Sequence, residues 1–183
     1  MAIVRPTSRE AILEAAFQLL SETPGASLGD IADRAGVGRA TLHRHFAGRA
    51  DLMRALAEAA NSELEAATIA AIGHIRTAED RLRLSLAAMM PLANRHAFLS
   101  GPDVDEAMAE ASAKDRSWLT GEIELAKIEG VFAKDVPTFW IAEAYEGVLY
   151  AGWTMISSGE ATPKQAAELA WRTLTHGLNG DAK

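Results

Sequence analysis

The stretch Ser27–Arg49, SLGDIADRAGVGRATLHRHFAGR, decides how this chain is read. Ser27 precedes an apolar-periodic run and Asp30 stands three residues on, the signature of a capping box at a helix start. Leu28, Ile31, Ala32 and Ala35 fall at i, i+3, i+4 and i+7, so one face of that helix is apolar. Gly36 follows at once, where a left-handed stop residue is expected. A second helix starts within two residues: Gly38 can cap it, and Val37, Leu42 and Phe46 give it an apolar seam. Its other face carries Arg39, Thr41, His43, Arg44 and His45. Between Val37 and Arg49 there are three arginines, two histidines and no acid. The pattern predicts a helix-turn-helix with a cationic, hydrogen-bonding outer face.

Working outward, the charge is unevenly spread. The 183 residues carry a net charge of −7, which argues against a uniformly basic coat. Residues 1–54 nevertheless hold seven arginines against six acids, a surplus of one, so the remainder carries −8. A modest basic patch on an acidic body suits a protein that offers DNA one small face. The apolar content of 49% is enough for one good core, or for a small domain and a larger one. There is no cysteine, which excludes disulfide and thiolate chemistry. No run approaches the roughly 18 apolar residues of a membrane span, and the N-terminus lacks the apolar core of a secretory signal. A soluble, cytoplasmic protein without a membrane partner is the expectation.

Along the chain, residues 1–6 read as an arm with Arg5 able to reach a phosphate, and Thr7 with Glu10 forms another capping box. Ile12, Leu13, Ala16, Phe17, Leu19 and Leu20 give the first helix its stripe, which Pro24-Gly25 ends. A longer helix opens after Gly48 and runs through Leu52, Leu56, Ala60 and Leu64 to about Ile72. Residues 73–77 interrupt the pattern. A helix from about Ala78 to Asn94 contains Pro91, which should kink it or end it early. Helical patterns resume at 103–113 and 114–129 and break at Gly130 and Pro137; Thr138–Ser157 and Pro163–Leu178 finish the chain. No stretch sustains alternation at period two. The expected fold is all-α, with about nine helices: a DNA-binding domain over 1–54, then a larger helical domain over 55–183 for effector binding and dimerisation.

Residues 8–60 resemble the DNA-binding domain of the tetracycline-repressor (TetR) family. The match consists of Ala16, Leu19 and Leu20 in the first helix, then Ser27, Ile31-Ala32, Ala35-Gly36-Val37, Thr41-Leu42, Phe46 and the Arg49-x-x-Leu52 opening of the fourth helix. The remainder resembles the family in length, helicity and order. The resemblance implies that Arg39 and Thr41 reach base edges and nearby phosphates in the major groove, where an arginine can donate two bonds to guanine. His43 occupies the place of a tyrosine that meets the DNA backbone; histidine is shorter and donates best when charged. Arg44 and His45 continue that face, and Arg49 stands where the family has a lysine at a helix N-terminus, facing a phosphate. Ser27 could donate to a phosphate or cap its helix. Gly38 and Gly48 depart from the family's serine caps.

Binding in this mode needs two recognition helices about one DNA turn apart, hence a homodimer on double-stranded, pseudo-palindromic operator DNA. Gly147, Ala151 and Gly152, with Tyr150, Trp153, Ile156, Leu169, Trp171 and Leu174, are the expected elements of an intersubunit four-helix bundle. Met89, Met90, His96, Phe98, Leu99, Met108, Trp118, Trp140 and Tyr145 are candidates to line a mostly apolar cavity for a small, hydrophobic or aromatic effector. No metal, cofactor or catalytic centre is expected, because the chain has no His-Glu-x-x-His, phosphate-cradling Gly-rich loop or Gly-x-Ser-x-Gly elbow. The reading is therefore a ligand-responsive transcriptional repressor. Its rival is an all-helical small-molecule-binding protein or enzyme without DNA binding.

Overall fold

Short polar side chains set the helix starts. In the computed structural model, which describes residues 7–98 and 106–178 and their side chains except at 96, 97 and 106–115, Thr7, Ser27, Thr77 and Thr162 are N-caps. Each accepts a hydrogen bond from the backbone N–H three residues on. At Thr7, Ser27 and Thr162 the box is closed by Glu10, Asp30 and Gln165, each accepting from the cap's own N–H. Left-handed glycines make the stops. Gly36 (φ 67°) and Gly130 (φ 84°) end their helices in paired bonds, Val37 N to Ala32 O at 3.0 Å and Val131 N to Ala126 O at 2.9 Å.

The described residues form α1 (Ser8–Glu22), α2 (Leu28–Arg34), α3 (Arg39–His45), α4 (Arg49–Ile72) and α5 (Ala78–Met89). A 3-10 segment (Met90–Phe98) follows, then α6 (Glu106–Glu129), α7 (Thr138–Ser157) and α8 (Pro163–His176). All regular structure among the described residues is helical, as expected. Pro91 ends α5 early, since it can supply no N–H to the helix. The two helices expected over 103–129 are instead continuous from Glu106, because nothing around residues 113–114 breaks a helix. No helix among the described residues is long and apolar enough to cross a membrane.

The chain divides into two compact units. In the first, α1, α2, α3 and the start of α4 enclose Ile12, Phe17, Ile31, Leu42, Phe46, Leu52 and Leu56. This unit extends to Asn61, beyond the boundary expected at 54, because Leu56 and Ala60 of α4 are still part of its core. It also takes in Phe98, whose ring meets Phe17 edge-on at 5.0 Å.

In the second unit, α5, α6, α7 and α8 pack about Leu82, Leu86, Met90, Ile123, Ala142, Tyr145 and Trp153. Glu129 closes the N-terminus of α5, accepting from Ala78 N at 2.9 Å and Glu79 N at 3.1 Å, where a carboxylate suits the helix dipole. Arg81 and Glu122 join α5 to α6 at 2.7 Å. The Tyr145 hydroxyl donates to Leu82 O at 2.9 Å, and its burial pushes the phenol well above its usual range. A Cβ at Gly152 would lie 2.6 Å from Met90 Cε and 2.7 Å from Sδ. The close approach that calls for glycine there is therefore made within one chain. Trp153 is likewise buried in its own subunit, its indole N–H donating to Met89 O at 2.9 Å.

Candidate nucleic-acid interface

Two apolar anchors turn the polar face of α3 outward. Leu42 and Phe46 are buried in the first unit, and Val37 packs against it. With those positions inward, Arg39, His43, Arg44 and His45 are exposed and Thr41 is half-buried. The outer face has internal order. Arg44 Nη2 donates to Thr41 Oγ1 at 3.0 Å, so this threonine's hydroxyl is oriented by its neighbour one turn on. The guanidinium of Arg39 lies against Gly29 of α2, with Asp30 close enough to feel its charge. Arg9 of α1, which carries no motif signal of its own, stands over the Phe46 ring at 5.6 Å, a cation–π contact on the same domain.

Two residues expected at DNA also make hydrogen bonds within the domain. Arg49 Nη1 donates to Ala26 O at 2.5 Å and Nη2 to Pro24 O at 2.7 Å, so its guanidinium clasps the turn between α1 and α2. Ser27 Oγ donates to Asp30 Oδ2 at 2.7 Å and accepts from Asp30 N at 3.2 Å, which makes the cap its role here. The Ser27 hydroxyl and backbone N–H together hold the Asp30 carboxyl below the usual carboxylate range.

The residues expected to line an effector cavity are distributed, among the described residues, over both units. Trp140 is 69% exposed at the start of α7, because the helix turns that position away from the core that holds Ile141, Ala142 and Tyr145. Phe98 belongs to the core of the first unit. Met90 and Tyr145 are buried in the second, while Met89 and Trp118 are half-buried. The side chains of His96 and Met108, and residue Leu99, lie outside the described residues. No group of three or more metal-ligating side chains occurs among the described residues.

The model of the bacterial regulatory proteins of the tetR family matches residues 12–56, the span from the first helix into α4. The HTH-type transcriptional repressor LfrR of Mycolicibacterium smegmatis is 57% identical over 53 residues, 29% of this chain and 28% of that repressor. Likeness of fold extends much further. The crystal structure of LfrR from Mycobacterium smegmatis in complex with proflavine matches with a TM-score of 0.75 at 28% identity, covering 94% of this chain and 97% of that one. The TetR-family regulator PfmR from Thermus thermophilus matches with a TM-score of 0.74 at 21% identity, covering 97% and 100%. At that identity it speaks for the fold alone. Residues 12–56 thus carry the DNA-binding domain of the TetR family of bacterial transcriptional regulators, and the helical fold of the whole chain is like that of solved regulators of this family.

Proposed function

We propose that two copies of this chain bind a palindromic operator in the cytoplasm, with α3 of each in a major groove, and repress transcription until a small, hydrophobic effector releases them. The observation that carries the reading is the outer face of α3: Arg39, His43, Arg44 and His45 exposed, no acid among them, on a helix anchored by Leu42 and Phe46. Phosphate contacts supply most of the affinity in such a mode, and base-edge contacts supply the selectivity. Arg39 is the candidate for base reading, and Arg44, His43 and His45 for the backbone. That a relative is a repressor supports the sign of regulation, and its structure with proflavine supports a flat, aromatic effector. Release follows if the effector prefers the conformation that cannot span two grooves, since a ligand shifts an equilibrium only by its differential affinity.

A salt series tests the reading. Affinity for a duplex selected from a randomised pool should fall steeply as salt rises, with a log–log slope of about −0.9 per phosphate neutralised. A flat series would count against DNA binding and favour a helical ligand carrier. Proflavine added to the DNA-free protein probes the effector: a rise in thermal midpoint supports an aromatic class, and no shift removes it.

A further inference from the structure

The first residue of the recognition helix reaches back onto the helix before it. A Cβ built on Gly29 would lie 3.0 Å from Arg39 Nη2, 3.3 Å from Cζ and 3.4 Å from Nε. All three atoms belong to the guanidinium, so its flat head, rather than its aliphatic stem, covers the bare backbone of α2. The backbone at Gly29 does not itself require glycine. Its φ is not positive, unlike those of Gly36, Gly130, Gly159 and Gly177. The guanidinium of Arg39 is the group occupying the space that a side chain would take.

A fixed negative charge stands beside that space. Asp30 Oδ2 accepts from Ser27 N at 2.8 Å and from Ser27 Oγ at 2.7 Å, which locks the carboxylate at the helix cap. Its position is set by α2, independently of Arg39. Arg39 thus meets a cleared surface, with that carboxylate near enough for its charge to be felt but not paired with it. A long, flexible cation seated on such a surface has less rotamer freedom to give up when a partner arrives.

We propose that Gly29 is a positioning residue for Arg39: by lacking a side chain it seats the guanidinium on α2, in the place from which Arg39 meets operator DNA. The inference rests on the DNA-binding reading above and names a specificity-determining residue that does not itself touch DNA. Since ordering a long side chain on binding is costly, Gly29→Ala should weaken affinity for a duplex selected by the wild-type protein about twofold to twelvefold per half-site. Arg39→Ala should weaken it as well, and the double variant should bind no worse than Arg39→Ala alone. Wild-type affinity or tighter binding in Gly29→Ala, or losses that multiply in the double variant, would overturn the proposal.

A DNA-free measurement separates the two readings. In the free protein, an NMR cross-relaxation signal should connect the Gly29 α-protons with the Arg39 Nε–H, and its absence would defeat the seating whatever the duplex results. If no duplex is enriched while that signal is present, the DNA-binding reading fails and the seating stands as a structural contact only. Gly29→Ala should unfold at no lower temperature than wild type, because alanine favours the helix. A lower midpoint would mean that Arg39 cannot yield to the methyl; Arg39→Lys, which lacks the flat head, then serves as the background in which Gly29→Ala should leave binding unchanged.

Discussion

An arginine counted as basic surface can be consumed by its own chain, and Arg49 is the case in point. Its planar guanidinium forks to two carbonyls, Pro24 O and Ala26 O, which belong to the turn that sets α2 against α1. A fork suits this task better than the point charge of a lysine, which cannot present two fixed donors in one plane. Arg49→Ala should therefore destabilise the protein by about 1–2 kcal/mol, the value of a charged hydrogen bond discounted for partial exposure. Arg49→Lys should recover only part of that loss in a urea melt. The same variants should leave the salt dependence of DNA binding nearly unchanged, whereas Arg44→Ala should make it shallower. An Arg49→Ala protein of wild-type stability with a shallower salt slope would restore Arg49 to the phosphate contacts.

At the scale of the element, the features legible in the sequence are those made within one turn of backbone. The boxes at Thr7 and Ser27 and the left-handed stops at Gly36 and Gly130 join residues three to five apart, and motif reading can place them. What spacing cannot reveal are contacts between distant segments. Phe98 packs on Phe17, Arg49 reaches Pro24 and Met90 fills the space at Gly152, and no local period encodes any of these. Periodicity also names an apolar stripe without saying what covers it, which is why Trp140, a candidate lining residue by its spacing, stands exposed. The box on α2 carries its own prediction. Asp30 is held below the ordinary carboxylate value of 3.8, first by the Ser27 side chain and then by its backbone N–H. A group depressed in the folded state stabilises fully above that ordinary value and loses its contribution as pH falls through the lower, folded one. Ser27→Ala should thus lower the urea midpoint at neutral pH, and the gap between variant and wild type should narrow in acid below about pH 4. A gap that stays constant with pH would remove Asp30 from the account.

At the scale of the whole molecule, the proposed dimer must use what the second unit leaves outward. α7 turns Ile141, Tyr145, Leu149 and Trp153 toward its own chain. Its other side presents Gly147, Tyr150, Ala151 and Thr154, a strip of small residues around one aromatic ring that is 56% exposed. Leu169, Trp171 and Leu174 of α8 are only half-buried, so that helix too has apolar surface to cover. Small residues allow two helices to approach closely, and a central aromatic supplies contact area of the kind that dominates interfaces. Trp153 is the wrong place to test this: a charge there would be buried where the indole now donates to Met89 O, and the subunit itself would suffer. Tyr150→Arg instead adds two exposed cations per dimer across the proposed twofold axis. It should keep its helical content and thermal transition, sediment as a monomer, and bind operator about a hundredfold more weakly, because two half-sites then lose their linkage. A Tyr150→Arg protein that still sediments as a dimer would move the interface off this face of α7.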